Sequence, residues 1–154
     1  MSELQFLLDR LALQDLVAAY ATCVDSDDPA SAAALFTPDG ELRIFERGAE
    51  APVRERVGPE AIASAMAGLD RYHTTLHVMA NHTVTIEGDT ADGVTYCLAH
   101  HIHDVDGPEG TTLPYDYVMH IRYLDRFVRA LDGWRIARRH LVVEFTEDRP
   151  IAVS

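Results

Sequence analysis

The sequence predicts an α+β domain in which helices come first and a long antiparallel meander follows. Three observations carry this reading. Helical periodicity and helix-start signals are confined to the stretch before Tyr72. The remainder is rich in Val, Ile, Tyr and Thr and is broken by the turn signals Glu87-Gly88-Asp89, Asp106-Gly107 and Asp132-Gly133. No repeat, low-complexity tract or linker divides the 154 residues, so a single domain spanning 1–154 is expected.

From Glu3 to Val24, Leu4, Leu8 and Leu11 and then Ala18 and Ala21 recur at helical spacing, which predicts a long first helix with those residues on its apolar face. In DSDDPASAAALF, Asp28 stands as a cap and Pro29 at the first helical position of a short second helix, which Thr37-Pro38-Asp39-Gly40 stops as a turn. ELRIFE alternates as a strand, and GPEAIASAMAGLDRY, with Pro59 and Glu60 in its first turn, reads as a third helix. TTLHVMANHTVTIEG, DGVTYCLAHHIHDV, YDYVMHIRYLDRFVRAL and GWRIARRHLVVEF then form four long antiparallel strands. Such an order packs helices on one face of a curved sheet. Trp134 and Ile136 alternate as sheet core.

Composition narrows the function. With 47% hydrophobic residues the chain can bury a core without a disulfide or structural metal. Cys23 and Cys97 show no CxxC spacing and read as reduced, and the N-terminal stretch lacks a basic start and a small-residue cleavage site; both point to the cytoplasm. A formal charge of −12 disfavours nucleic acid and anionic membranes and favours a neutral or cationic small molecule. All 13 basic residues are arginine, so Schiff-base, pyridoxal phosphate and Walker-type phosphate-loop chemistry lack their lysine. GxGxxG, GxSxG and HExxH are absent.

The order of these elements, with LQDLVAAYATCVDSDD, LFTPDG, TLHVMANHTVTIEGDTA and LDGWRIARRHLVV, resembles the SnoaL-like branch of the nuclear transport factor 2-like superfamily over nearly the whole chain. The resemblance implies a cone-shaped curved sheet, mixed or antiparallel, with the three helices of the N-terminal half packed on its concave face around a deep pocket. It does not fix the reaction, because this superfamily hosts dehydratases, isomerases, cyclases, epoxide hydrolases and non-catalytic members. Within it the chain resembles the scytalone dehydratase and hexachlorocyclohexane dehydrochlorinase families, both cofactor-free elimination enzymes. That similarity implies no cofactor and no metal. It sets Asp25 at the families' aspartate, His77 at their base histidine and His101 at the dehydratase's second histidine. Tyr20 falls where the dehydrochlorinase has a lysine and a bile-acid dehydratase a tyrosine, and Arg138 or Arg139 where some relatives carry a pocket arginine. The dehydratase's other substrate-contacting tyrosine and its late serine and asparagine have no counterpart, which leaves the substrate open. Relatives commonly form homodimers or homotrimers through the convex sheet face, and HLVVEF fits such an interface. The lack of lysine alongside abundant Ala, Arg and Asp is in keeping with a bacterial coding bias.

An elimination needs a base to take a proton from carbon and often an acid to assist the leaving group. Here Asp25 would orient His77, His77 would take the proton, and His101 or Tyr20 would donate to the departing group. The expected activity is that of a cofactor-independent dehydratase or lyase acting on a small hydrophobic cyclic compound. An isomerase or cyclase of the same fold, or a non-catalytic ligand-binding or oxygenase-small-subunit-like module, is the alternative. Other placements stay open. Asp25 could be a turn carboxylate beside Asp27 and Asp28, and Tyr20 lies about 140° round an ideal helix from it. His100 and His101 must face opposite ways on a strand. His101 and His103 form an HxH pair that would bind a metal only if further ligands converged. His73, His82, His120 and His140 read as surface or packing residues.

Overall fold

A computed structural model describes residues 2–152. Helix α1 spans Glu3–Asp25, capped by Ser2, whose hydroxyl accepts from the Gln5 amide. Helix α2, Pro29–Ala34, begins at Asp28, whose carboxylate accepts from the Ser31 amide, and α3 covers Pro59–Ala67 before a 3₁₀ turn at Gly68–Arg71. The strands are β1 (Phe36–Glu46), β2 (Arg54–Val57), β3 (Thr74–Glu87), β4 (Thr90–Asp106), β5 (Thr112–Ala130) and β6 (Gly133–Pro150). They form one open six-stranded sheet in the order β2-β1-β6-β5-β4-β3, parallel only between β1 and β6. Three helices on this mixed sheet give the α+β class the sequence predicts.

Register shifts bend the long strands at Met79/His82, His120/Ile121 and Arg126/Phe127, and such bulges curve a sheet enough to wrap a core. Leu13, Val17 and Tyr20 of α1 and Ile62 and Met66 of α3 pack inside that curve against Ala99, Ile121, Tyr123, Phe127, Ile136 and Leu141. At Gly93 of β4 a Cβ would stand 2.8 Å from the Phe127 ring, so the absence of a side chain lets that ring seat on the neighbouring strand. Among the described residues no helix is long and apolar enough to cross a membrane.

Three sequence expectations change. Thr37-Pro38-Asp39-Gly40 does not terminate a helix as a free turn. It lies within β1, as an irregularity between Phe36 and Glu41 where the strand is out of step with β6. Strand β2 was not expected at all; four residues are too few for a periodic pattern. The face of α1 is also rotated, leaving Leu4, Leu8 and Leu11 at 67%, 51% and 58% exposure. Its buried residues are Asp9, Leu13, Leu16, Val17, Tyr20, Ala21 and Val24. Asp9 sets that phase. Its carboxylate accepts two bonds from the Arg129 guanidinium at 2.8 and 2.7 Å and a third from Trp134 Nε1 at 3.1 Å. The Arg129 bonds, aided by those from Trp134 and Gln5, outweigh burial and hold Asp9 at about 2. A polar residue thus fixes the helix where leucine periodicity pointed elsewhere.

The charged centre of the core lies on β5 and β6. The Arg139 and Asp125 side chains are both fully buried and joined by two bonds, Nε to Oδ1 at 2.8 Å and Nη2 to Oδ2 at 2.7 Å. The guanidinium also sits 4.2 Å from the ring centroids of both Tyr20 and Tyr123. Removing one partner strands a buried charge, so Arg139→Ala should cost about 3–5 kcal/mol in urea unfolding. The paired replacement Arg139→Met with Asp125→Leu should recover most of that loss. A single variant as stable as the native chain would contradict a tightly coupled pair.

Candidate active site

The site begins where α1 ends. Strand β3 alternates so that Leu76 and Val78 are exposed while Thr75, His77 and Met79 turn inward. This aims Thr75 and His77 at Asp25, the last residue of α1. The Asp25 carboxylate accepts three bonds from β3: Thr75 Oγ1 to Oδ1 at 2.9 Å, the His77 backbone amide to Oδ2 at 2.7 Å, and His77 Nδ1 to Oδ1 at 2.7 Å. Burial raises its pKa, but the bonds from His77 and Thr75 together outweigh this and leave Asp25 below the usual carboxylate value. A carboxylate only accepts, so Nδ1 of His77 carries a proton, and in the neutral imidazole the lone pair is on Nε2.

His101 on β4 stands opposite Thr75, one diagonal step from His77, and the two imidazoles meet edge to face with centroids 5.8 Å apart. Its Nδ1 donates to the Tyr117 carbonyl at 3.0 Å, which again leaves Nε2 as an acceptor. Burial lowers its pKa and outweighs the bond to Tyr117, so the ring is neutral. His77 and His101 are therefore both held as Nδ1–H tautomers. Neighbouring His100 faces the other way and donates Nδ1 to Asp116 at 2.8 Å. His103 Nε2 pairs with Asp148 at 3.0 Å, and among the described residues no three His, Cys, Asp or Glu side chains converge as metal ligands.

Tyr20, His77, His101, Tyr117 and Met119 border one cavity of about 440 Å³. The 140° that separates Tyr20 from Asp25 on an ideal helix is bridged by His77, because β3 carries the imidazole across to the cavity that Tyr20 also faces. The Tyr20 hydroxyl lies 3.7 Å from Met66 Sδ; burial raises its pKa, so it stays protonated. Burial also drives Tyr123 well above the ordinary value and Cys97, behind the cavity wall, up to about 12, so both stay protonated.

The arginine expectation is corrected. Arg138 points outward and is exposed, while Arg139 is buried beneath Tyr20 and Tyr123 and held by Asp125, so neither borders the cavity. Strand alternation separates the neighbours, and Asp125 claims the inward one. Arg54, Arg56 and Arg71 border the cavity instead, with Tyr72. Sequence reasoning missed them, because β2 is too short to show a periodic pattern and Arg71 lies in a turn.

The chain belongs to the SnoaL-like domain family, whose model matches residues 5–140, within the nuclear transport factor 2-like superfamily. A Mycobacterium tuberculosis protein of uncharacterised function is 28% identical over 131 residues, covering 85% of this chain and 82% of that one. Among solved structures, a scytalone dehydratase-like protein of Novosphingobium aromaticivorans superposes with a TM-score of 0.78 at 22% identity, covering 96% of this chain and 92% of the other. A type 2 hexachlorocyclohexane dehydrochlorinase gives 0.75 at 20% identity, covering 98% and 94%. The β subunit of an aromatic-ring-hydroxylating-dioxygenase-like protein of N. aromaticivorans gives 0.70 at 21%, covering 93% of both chains. At such identities the structures share the fold, and the fold serves more than one function.

Burial lowers the pKa of His82, His101 and His140. A histidine depressed in the folded state adds stability above its unfolded pKa, near 6.5, and that stability is lost as pH falls below it. Urea midpoints should therefore fall between about pH 7.5 and 5.5, and His101→Gln should flatten the slope. A flat native profile would contradict the burial of these rings as neutral species.

Proposed function

We propose that the protein is a cofactor-independent lyase of the dehydratase type, acting on a cyclic compound whose ring enters the cavity. The observation that carries this reading is the Asp25–His77 pair: an ionised carboxylate bonded to Nδ1 of a histidine whose Nε2 is free, at the wall of a cavity. His77 Nε2 takes a proton from the carbon next to the leaving group, and Asp25 stabilises the imidazolium that results. The Tyr20 hydroxyl, protonated and facing the cavity, hydrogen-bonds the departing oxygen. His101 presents a lone pair in the resting state, so it accepts a hydrogen bond from the substrate and holds the ring rather than acting as the acid. The assisting role expected of His101 or Tyr20 therefore falls to Tyr20. The proton gained by His77 leaves with the hydroxyl as water, and the resting state returns.

The dehydratase-like and dehydrochlorinase neighbours support this chemistry at the level of fold. An isomerase or cyclase would use the same proton abstraction without losing a group, and product mass separates the cases. The dioxygenase-subunit-like neighbour favours a second reading, a non-catalytic partner module. A module would hold a cavity ligand without turnover.

The test is a panel of cyclic alcohols and hydroxyketones incubated in deuterated buffer and analysed by mass spectrometry for loss of one water. His77→Ala and Asp25→Asn should each lower turnover by about 10²–10⁴-fold with the fold intact by circular dichroism. Full activity in either variant would refute the mechanism.

A further inference from the structure

The cavity has one cationic edge, and among the described residues no carboxylate pairs with it. Arg54 and Arg56 stand two residues apart on β2, so their side chains share a face, while Glu55 between them turns the other way and pairs with Arg43 at 2.7 Å. Arg71 closes the 3₁₀ turn opposite; its Nη2 donates to the Tyr72 hydroxyl at 3.1 Å and its guanidinium lies 4.8 Å over the Tyr72 ring. All three border the cavity. Among the described residues none of them has a carboxylate within ion-pair distance, and neighbouring Asp70 makes no pair with Arg71. In a chain with a formal charge of −12 most other arginines, among them Arg43, Arg122, Arg126, Arg129, Arg135 and Arg139, are paired; Arg10 and Arg138 are not, but they lie apart from this cavity. Three guanidinium groups around one opening repel one another, and an anion bound among them removes that repulsion.

Deeper in, the character reverses. The wall runs from the Tyr72 ring to His101, 4.7 Å away, and on to His77 a further ring away at 5.8 Å, with Met119 and Ile121 alongside. Arg139, the interior cation, is consumed by Asp125. The mouth is thus cationic, the interior aromatic and neutral, and two ring layers separate the cations from the base.

We propose that the ligand of this cavity carries an oxyanion, a carboxylate or phosphate ester, bound at the mouth by Arg54, Arg56 and Arg71, with its ring seated between Tyr72 and His77. This rests on the cavity being the active site and adds the substrate class: an anionic cyclic compound, in place of the neutral or cationic one that the net charge suggests. The anion lies away from the reacting carbon. It is a remote handle whose binding energy orients the ring against His77.

Isothermal titration with two matched probe pairs tests the proposal: 2-naphthoate against 2-naphthamide, and 2-naphthyl phosphate against 2-naphthol. At low salt at least one anion should bind about tenfold or more tightly than its neutral twin, and that preference should shrink in 0.5 M NaCl. It should vanish in the Arg54→Gln, Arg56→Gln, Arg71→Gln triple variant. The single variants at the exposed Arg54 and Arg71 should each lose part of it, which keeps the test valid if the triple variant does not fold. Whichever anion shows the preference identifies the source as carboxylate or phosphate. Neither anion outbinding its twin in the native protein, or a preference that survives removal of the arginines, would overturn the proposal. Because binding and not turnover is read, failure of the elimination chemistry and failure of the anion site give different results.

Discussion

The Asp25 carboxylate is the constraint on which the rest of the site depends. It closes α1 and accepts three bonds from one stretch of β3, which ties the end of the longest helix to an edge strand of the sheet. Each bond has a separate consequence. The bond from the His77 amide occupies a donor that an edge strand would otherwise leave unpaired. The bond from Thr75 fixes the carboxylate plane, and the bond from Nδ1 selects the His77 tautomer. A half-exposed or mobile carboxylate could make one of these; three together require both elements in register. Structure and chemistry therefore share one group.

The far wall is built by the opposite strategy. Arg139 is sandwiched between Tyr20 and Tyr123 and neutralised by Asp125, so a full positive charge lies under the cavity without acting on it as a free cation. Such a pair adds less to stability than its short distances suggest, since desolvation offsets much of the attraction. Its use here is positional: it holds the Tyr20 ring from below while Phe36 and Tyr123 meet that ring edge to face. Guanidinium groups without a carboxylate partner border the cavity at its mouth, at Arg54, Arg56 and Arg71. The division between consumed cations inside and available ones outside gives the cavity its polarity.

Much of this was legible in the sequence. Helix-start signals marked α2 and α3 correctly, because Asp28-Pro29 and Gly58-Pro59 act locally and no tertiary contact competes with them. The four long strands were visible through alternation and Asp-Gly turns. Asp25, His77 and His101 were nameable through resemblance, but their bonding was not, since a tautomer depends on what the far nitrogen meets. Three features were hidden for identifiable reasons. The rotation of α1 is set by Asp9 bonding Arg129 and Trp134, more than a hundred residues away, and leucine spacing carries no trace of that partner. The choice between Arg138 and Arg139 hinges on strand parity at β6 and on Asp125 across the ladder. The cationic mouth is assembled from β2 and the turn after α3, segments too short for periodicity to speak.

The proposed chemistry requires Asp25 to hold His77 as the Nδ1–H tautomer with Nε2 free. Long-range ¹H–¹⁵N correlation spectra of the histidine rings at neutral pH read this directly. The expected result is a protonated Nδ1 and an unprotonated Nε2 for His77, with the Nδ1 proton shifted downfield and that shift lost in Asp25→Asn. An Nε2–H tautomer, or a His77 ring averaging between the two forms in the native protein, would contradict it.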